Sequence, residues 1–138
     1  MTDWVLCGIG LYTIILGVIH FFLPHLLDFD QAVPQEGAPL KPFRLFGYSY
    51  GTTRRDVHGI CWVMNHSVSY TLVTIGMLDM ILSVRQELSF GRVLCAWIAF
   101  WWILRAFSQF YLGKRRGDYL VFGWFLTLGL YHLHVLSR

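Results

Sequence analysis

Few residues in this chain can do chemistry, and most of those sit in long apolar segments: His20, the Asn65-His66 step, Arg105 and Thr127. An imidazole suits acid-base work because its ordinary pKa of about 6.5 lies near the working pH. A guanidinium or a carboxamide suits the holding of a ligand's oxygen atoms. His66 and His20 are therefore the candidate acid-base groups. Asn65, Arg105, Gln109, Ser69, Trp62, Trp101 and Thr127 are the candidate ligand-binding groups. The stretch from Arg54 to Tyr70 carries the densest set, bringing polar residues into an apolar helix.

The surroundings of these residues set the problem. Of 138 residues, 56% are hydrophobic, 17% aromatic and only 14% charged, with a mean hydropathy of +0.52. Soluble domains keep about a quarter of their residues charged, because a water-facing surface needs them, so this surface must face lipid. The net charge of +3 is small, and its residues lie at segment ends. That orients a protein in a bilayer and gives no basic groove for nucleic acid. Cys7, Cys61 and Cys95 are isolated, with none of the spacing that a zinc site or a thiol oxidoreductase requires. They read as small apolar side chains, and no metal site is expected.

Four segments are long enough to cross a hydrocarbon core, which takes about 20 helical residues. They run over 4–27, 57–84, 93–112 and 119–136. The expected fold is an all-α integral membrane domain over 1–138, a four-helix up-down transmembrane bundle with a long loop between helices 1 and 2. The first segment is too long for a signal-peptide core, has no cleavage site, and is expected to stay as a span. It carries one stripe, Gly10, Thr13, Gly17, His20 and Pro24, at three- and four-residue steps, where small residues let a neighbouring backbone approach. In the long loop, Phe43 to Gly51 is too short to span and too aromatic for a freely solvated loop, which suggests an interfacial or re-entrant piece. Lys41, Arg44, Arg54, Arg55, Lys114, Arg115 and Arg116 lie on one side, against Arg85, Arg92 and Arg138 on the other. The positive-inside rule then makes the loop cytoplasmic and places both termini outside.

Depth brings the polar residues into relation. His20 and Arg105 each precede the cytoplasmic end of their span by seven residues, and Asn65 and His66 follow theirs by eight and nine. At the helical rise, each lies roughly 10–13 Å below the boundary, and Thr127 reaches the same level. His58, Trp62, Asn65, Ser69 and Gly76 share one helix face, with His66 at its edge; Trp101, Trp102, Ser108 and Gln109 flank Arg105. An intramembrane arginine is expensive and should find partners inside the protein. Asn65, Gln109 or a ligand oxygen are its candidates, since no carboxylate shares its depth.

Plainer readings stand beside this one. Arg105 can snorkel to the headgroups, either histidine can bond a backbone carbonyl, and Asn65 can serve as a helix-helix adhesive. Asp79, His132 and His134 lie near the outer span ends and read as interfacial residues; if His134 meets Asp79, this cluster and the deeper one would mark the ends of a proton path. His25 and His58 belong to the cytoplasmic boundary. Three functions stay open. One is a pocket that binds, or acts by acid-base chemistry on, a small amphiphilic, oxygen-bearing ligand. Another is a b-type haem or metal protein ligated by His20 and His66. The third is a non-catalytic subunit or assembly factor that meets partners in a larger membrane complex. No motif is specific enough to name a family, a cofactor or a reaction.

Overall fold

The computed structural model describes residues 2–84, 90–111 and 116–137. Its long elements are helices: α1 (Trp4–Leu26), α3 (Arg54–Val84), α4 (Gly91–Ser108), extended by a 3-10 turn over Gln109–Tyr111, and α5 (Arg116–Leu136). All four are long and apolar enough to cross a membrane. Their bounds match the expected spans to within three residues, except that Leu112, the expected end of the third, lies outside the described residues. So do Arg85, Lys114, Arg115 and Arg138 of the charge count. The helices pack in pairs, α1 with α3 and α4 with α5.

The helix starts are written in the sequence. Asp3 Oδ1 accepts from the backbone N–H groups of Val5 and Leu6 at 3.1 and 3.0 Å, so Asp3 caps α1. Thr53 and Asp56 form a reciprocal cap on α3. The Thr53 N–H and hydroxyl both donate to Asp56 Oδ2 at 2.8 and 2.7 Å, and the Asp56 N–H donates to Thr53 Oγ1 at 3.1 Å. At the other end of α1, Pro24 sits in the last turns and Asp28 takes a left-handed conformation (φ 48°) before the short helix α2 (Phe29–Ala32).

The long connection is not purely irregular. Its expected interfacial piece folds as an antiparallel hairpin of β1 (Phe43–Leu45) and β2 (Tyr48–Tyr50), closed by Phe46 and Gly47 at φ 49° and 84°. Positive φ at both central residues is the turn that matches the twist of a two-stranded ribbon.

The chain divides into two compact units, residues 10–78 and residues 1–9 with 79–138. Within the first, small residues set the contact of α1 with α3. Gly10, Thr13, Gly17 and Pro24 of the expected stripe are buried, and His20 is half-buried. A Cβ on Gly76 would stand 2.5 Å from the Gly10 carbonyl oxygen and 2.9 Å from the Ile14 nitrogen; one on Gly17 would meet Val73 at 2.8 Å and the Ser69 carbonyl at 3.0 Å. In the second unit Gly129 of α5 lies against Ala99 and Ile103 of α4, where a Cβ would stand 3.1 Å from the Ala99 carbonyl. Between apolar helices in apolar lipid, such close backbone approach is the main source of packing energy.

Gly76→Ala is therefore expected to lower stability by about 1–3 kcal/mol through overpacking against backbone atoms that cannot yield. Gly123→Ala, whose Cβ meets nothing within 4 Å, should be neutral or slightly stabilising. Unfolding of both variants in detergent, monitored by circular dichroism, distinguishes them.

Candidate functional site

The residues expected at one depth on four helices fall into the two units, His20, Asn65 and His66 in one and Arg105 and Thr127 in the other. In the unit of residues 10–78, Asn65 is buried, and its Nδ2 donates to the His20 carbonyl at 2.9 Å. Asn65 is thus a clamp between α3 and α1, the adhesive role weighed for it. Ser69 is buried too and returns its hydroxyl to the Asn65 carbonyl at 2.8 Å. Trp62 is the hub of a ring cluster, with His25, Phe29, His58 and His66 at 5.2 to 6.3 Å between ring centres.

His66 differs from its neighbours. Its ring stacks on Phe21 at 4.8 Å with 22° between planes and meets Trp62 nearly edge-on at 5.5 Å. Among the described residues it is held by rings alone, without a hydrogen bond. It lines a groove of about 350 Å³ whose walls are Gly17, Val18, Phe21 and Phe22 of α1 and His66, Ser69, Tyr70 and Val73 of α3. Phe21 and Tyr70 were not anticipated in it. The available signal was spacing: Gly17 and Phe21 stand four apart, and His66, Tyr70 and Val73 follow one helix stripe.

His58, expected as an ordinary boundary residue, is buried and ties the loop to α3. Its Nδ1 lies 2.8 Å from the Val33 carbonyl, and its Nε2 lies 3.4 Å from Asp30 Oδ1. Arg54 adds a second tie, donating from Nε to the Ala38 carbonyl at 2.9 Å.

In the other unit, Arg105 is half-buried and turns to its own helix. Nη1 donates to Ser108 Oγ at 3.1 Å and to Gln109 Oε1 at 3.0 Å, and Cζ stands 5.1 Å from the centre of the Phe125 ring. Among the described residues no carboxylate pairs with it. Two neutral acceptors and an aromatic face hold the charge, each at i+3, i+4 or across the α4–α5 contact. Trp101 packs edge-on against buried Trp102 at 4.9 Å. Thr127 is exposed and returns its hydroxyl to the Gly123 carbonyl at 2.9 Å.

The most deeply buried polar contact in this unit joins two residues that the sequence places at the membrane interface. Asp79 and His132 are both fully buried, and His132, rather than His134, meets Asp79: Nε2 lies 2.9 Å from Oδ1. His132 Nδ1 lies 2.8 Å from the Leu128 carbonyl, which can only accept, so Nδ1 carries a hydrogen. A proton must then occupy the second contact as well, whether the pair is imidazolium with carboxylate or imidazole with carboxylic acid. In either form the pair is neutral overall, which an apolar interior tolerates far better than a net charge. Asp79 Oδ2 and Trp102 Nε1 have no hydrogen-bond partner among the described residues. Nearby in sequence, the Asp3 N–H donates to the Ser83 carbonyl at 2.9 Å, and the Tyr131 hydroxyl donates to Asp3 Oδ1 at 2.9 Å. These two bonds tie the start of α1 to the residues beside the pair on α3 and α5.

Among the described residues no three His, Cys, Asp or Glu side chains gather in a way that could hold a metal ion. No family model, curated protein or solved structure matches this chain.

Removing one member of the buried pair should be severe and removing both milder. Asp79→Leu strands His132 and is expected to cost about 3–5 kcal/mol, and His132→Phe likewise strands Asp79, whereas the two changes together should cost less than either alone. Reversible unfolding of the three variants in mixed micelles measures the coupling.

Proposed function

We propose that this multi-pass membrane protein binds a small amphiphile with an oxygen-bearing head in the groove of α1 and α3, with His66 meeting the oxygen. The observation that supports this is the state of His66. It is a half-buried imidazole on an otherwise apolar groove, stacked between rings and without a hydrogen bond among the described residues. A polar group left unpaired in a membrane interior costs a few kcal/mol. Asn65 and Ser69, by contrast, each donate to a backbone carbonyl. A ligand oxygen would supply the missing bond, and the groove's volume suits a single ring or the head of a chain-bearing molecule.

The same imidazole can donate to a carbonyl or take a proton from a hydroxyl, so binding and acid-base action would use one group. On this reading the groove lies in the cytoplasmic half, because the basic residues Lys41, Arg44, Arg54 and Arg55 flank the α1–α3 connection. Both termini would then lie on the opposite side.

A short-chain benzoquinone is a suitable probe, since it carries ring carbonyls and an apolar tail and quenches a nearby indole. Titration into the purified protein should quench part of the tryptophan fluorescence saturably, through Trp62, whose ring centre is 5.5 Å from that of His66. His66→Phe keeps the ring stack and removes the polar atoms. It should weaken binding about tenfold, the equivalent of one lost hydrogen bond of about 1.4 kcal/mol. Equal affinity in the variant, or no saturable quenching by the probe, would contradict the proposal.

A further inference from the structure

The β1–β2 hairpin displays apolar rings where the protein gives them nothing to pack on. Phe46 is 91% exposed and Tyr48 71% exposed. Phe46 also occupies the first central position of the turn at φ 49°, a left-handed conformation that asparagine or glycine adopts far more readily than a bulky ring. The backbone there is strained to present a side chain that stays almost wholly exposed. A surface of this kind points to a partner outside the protein.

Charge says which partner. Residues 41–55 carry Lys41, Arg44, Arg54 and Arg55 and no acidic residue, while the acidic residues of the same connection, Asp28, Asp30 and Glu36, all precede them. Arg54 is tied to the Ala38 carbonyl. Lys41, Arg44 and Arg55 are exposed. Basic side chains beside exposed aromatic rings are the composition of a membrane-water interface, where rings sit at headgroup level and lysine and arginine reach phosphates.

Position allows it. From Tyr50 to Arg54 is four residue steps, so the hairpin lies no more than about 14 Å from the first turn of α3. With 31 residues, α3 is about 46 Å long. A bilayer with its headgroup layers is about 40–45 Å thick, so a helix of this length reaches the headgroups with its first turn.

We propose that the hairpin is a membrane-surface anchor, with Phe46 and Tyr48 seated in the headgroup layer of the bilayer that the helices cross and Lys41 and Arg44 on its lipid phosphates. The anchor is independent of the groove and its ligand. It would hold the α1–α3 connection against the membrane surface.

The test uses the full chain in nanodiscs of mixed phosphatidylglycerol and phosphatidylcholine, with ring-labelled phenylalanine. Phe46 is assigned as the signal missing from the Phe46→Asn variant. A nitroxide on a shallow acyl carbon of the lipid should broaden the Phe46 signal, while a soluble gadolinium chelate should spare it. Phe46→Asn relieves the turn, so its thermal midpoint should equal or exceed that of the wild type. Its tryptic cleavage after Arg44 in vesicles should nevertheless be about tenfold faster. Broadening by the chelate and not by the lipid label would overturn the anchor. Protection from both would also overturn it, in favour of a protein partner. A loss of stability in Phe46→Asn would assign the ring a structural role instead.

Discussion

The hydrogen bond between His132 and Asp79 is the contact that the unit of residues 1–9 and 79–138 can least do without. Neither side chain reaches solvent, and the last turns of α3 and α5 meet through it. Because His132 Nδ1 is committed to the Leu128 carbonyl, the geometry itself requires one shared proton and a neutral pair. Apolar helices in lipid gain nothing from the hydrophobic effect when they associate, so a buried hydrogen bond of this kind does much to choose one packing over others. Around it the other contacts follow the same rule. Asp3 caps α1 and takes the Tyr131 hydroxyl, and Gly129 admits the backbone of α4.

The polar groups in the apolar segments differ in how they are satisfied. Asn65, Ser69 and Thr127 give their donors to backbone carbonyls. Arg105 finds Ser108, Gln109 and the face of Phe125, and among the described residues no carboxylate pairs with it. Each of these has a structural explanation that needs no ligand. His66 has rings for neighbours and a groove beside it. That contrast, and not the number of polar residues, is the reason for placing function there.

Much of the fold was legible because lipid imposes simple rules. Span length and hydropathy located four helices, and the three- and four-residue spacing of Gly10, Thr13, Gly17 and Pro24 located a packed face that is indeed buried. The partners of Arg105 were legible as the residues three and four positions on. Counting depth was less informative, because equal depth does not fix what a side chain touches. It grouped His66 with Arg105, whereas His66 meets Phe21 of α1 and Trp62 of α3, and Arg105 meets Ser108 and Gln109 after it and Phe125 of α5. The choice of His132 over His134 was available in helical phase, since Phe125, Leu128, Gly129 and His132 share the buried face of α5. The hairpin could not be read, because Phe46-Gly47 lacks the asparagine or aspartate that usually marks such a turn.

The most direct test of a ligand at His66 is native mass spectrometry of the protein extracted from its own membrane. The wild type should carry a non-covalent adduct with the mass of a small amphiphile, and His66→Phe, folded to the same helical content, should lose most of it. A wild type free of any such adduct, or an adduct equally abundant on both proteins, would contradict the account.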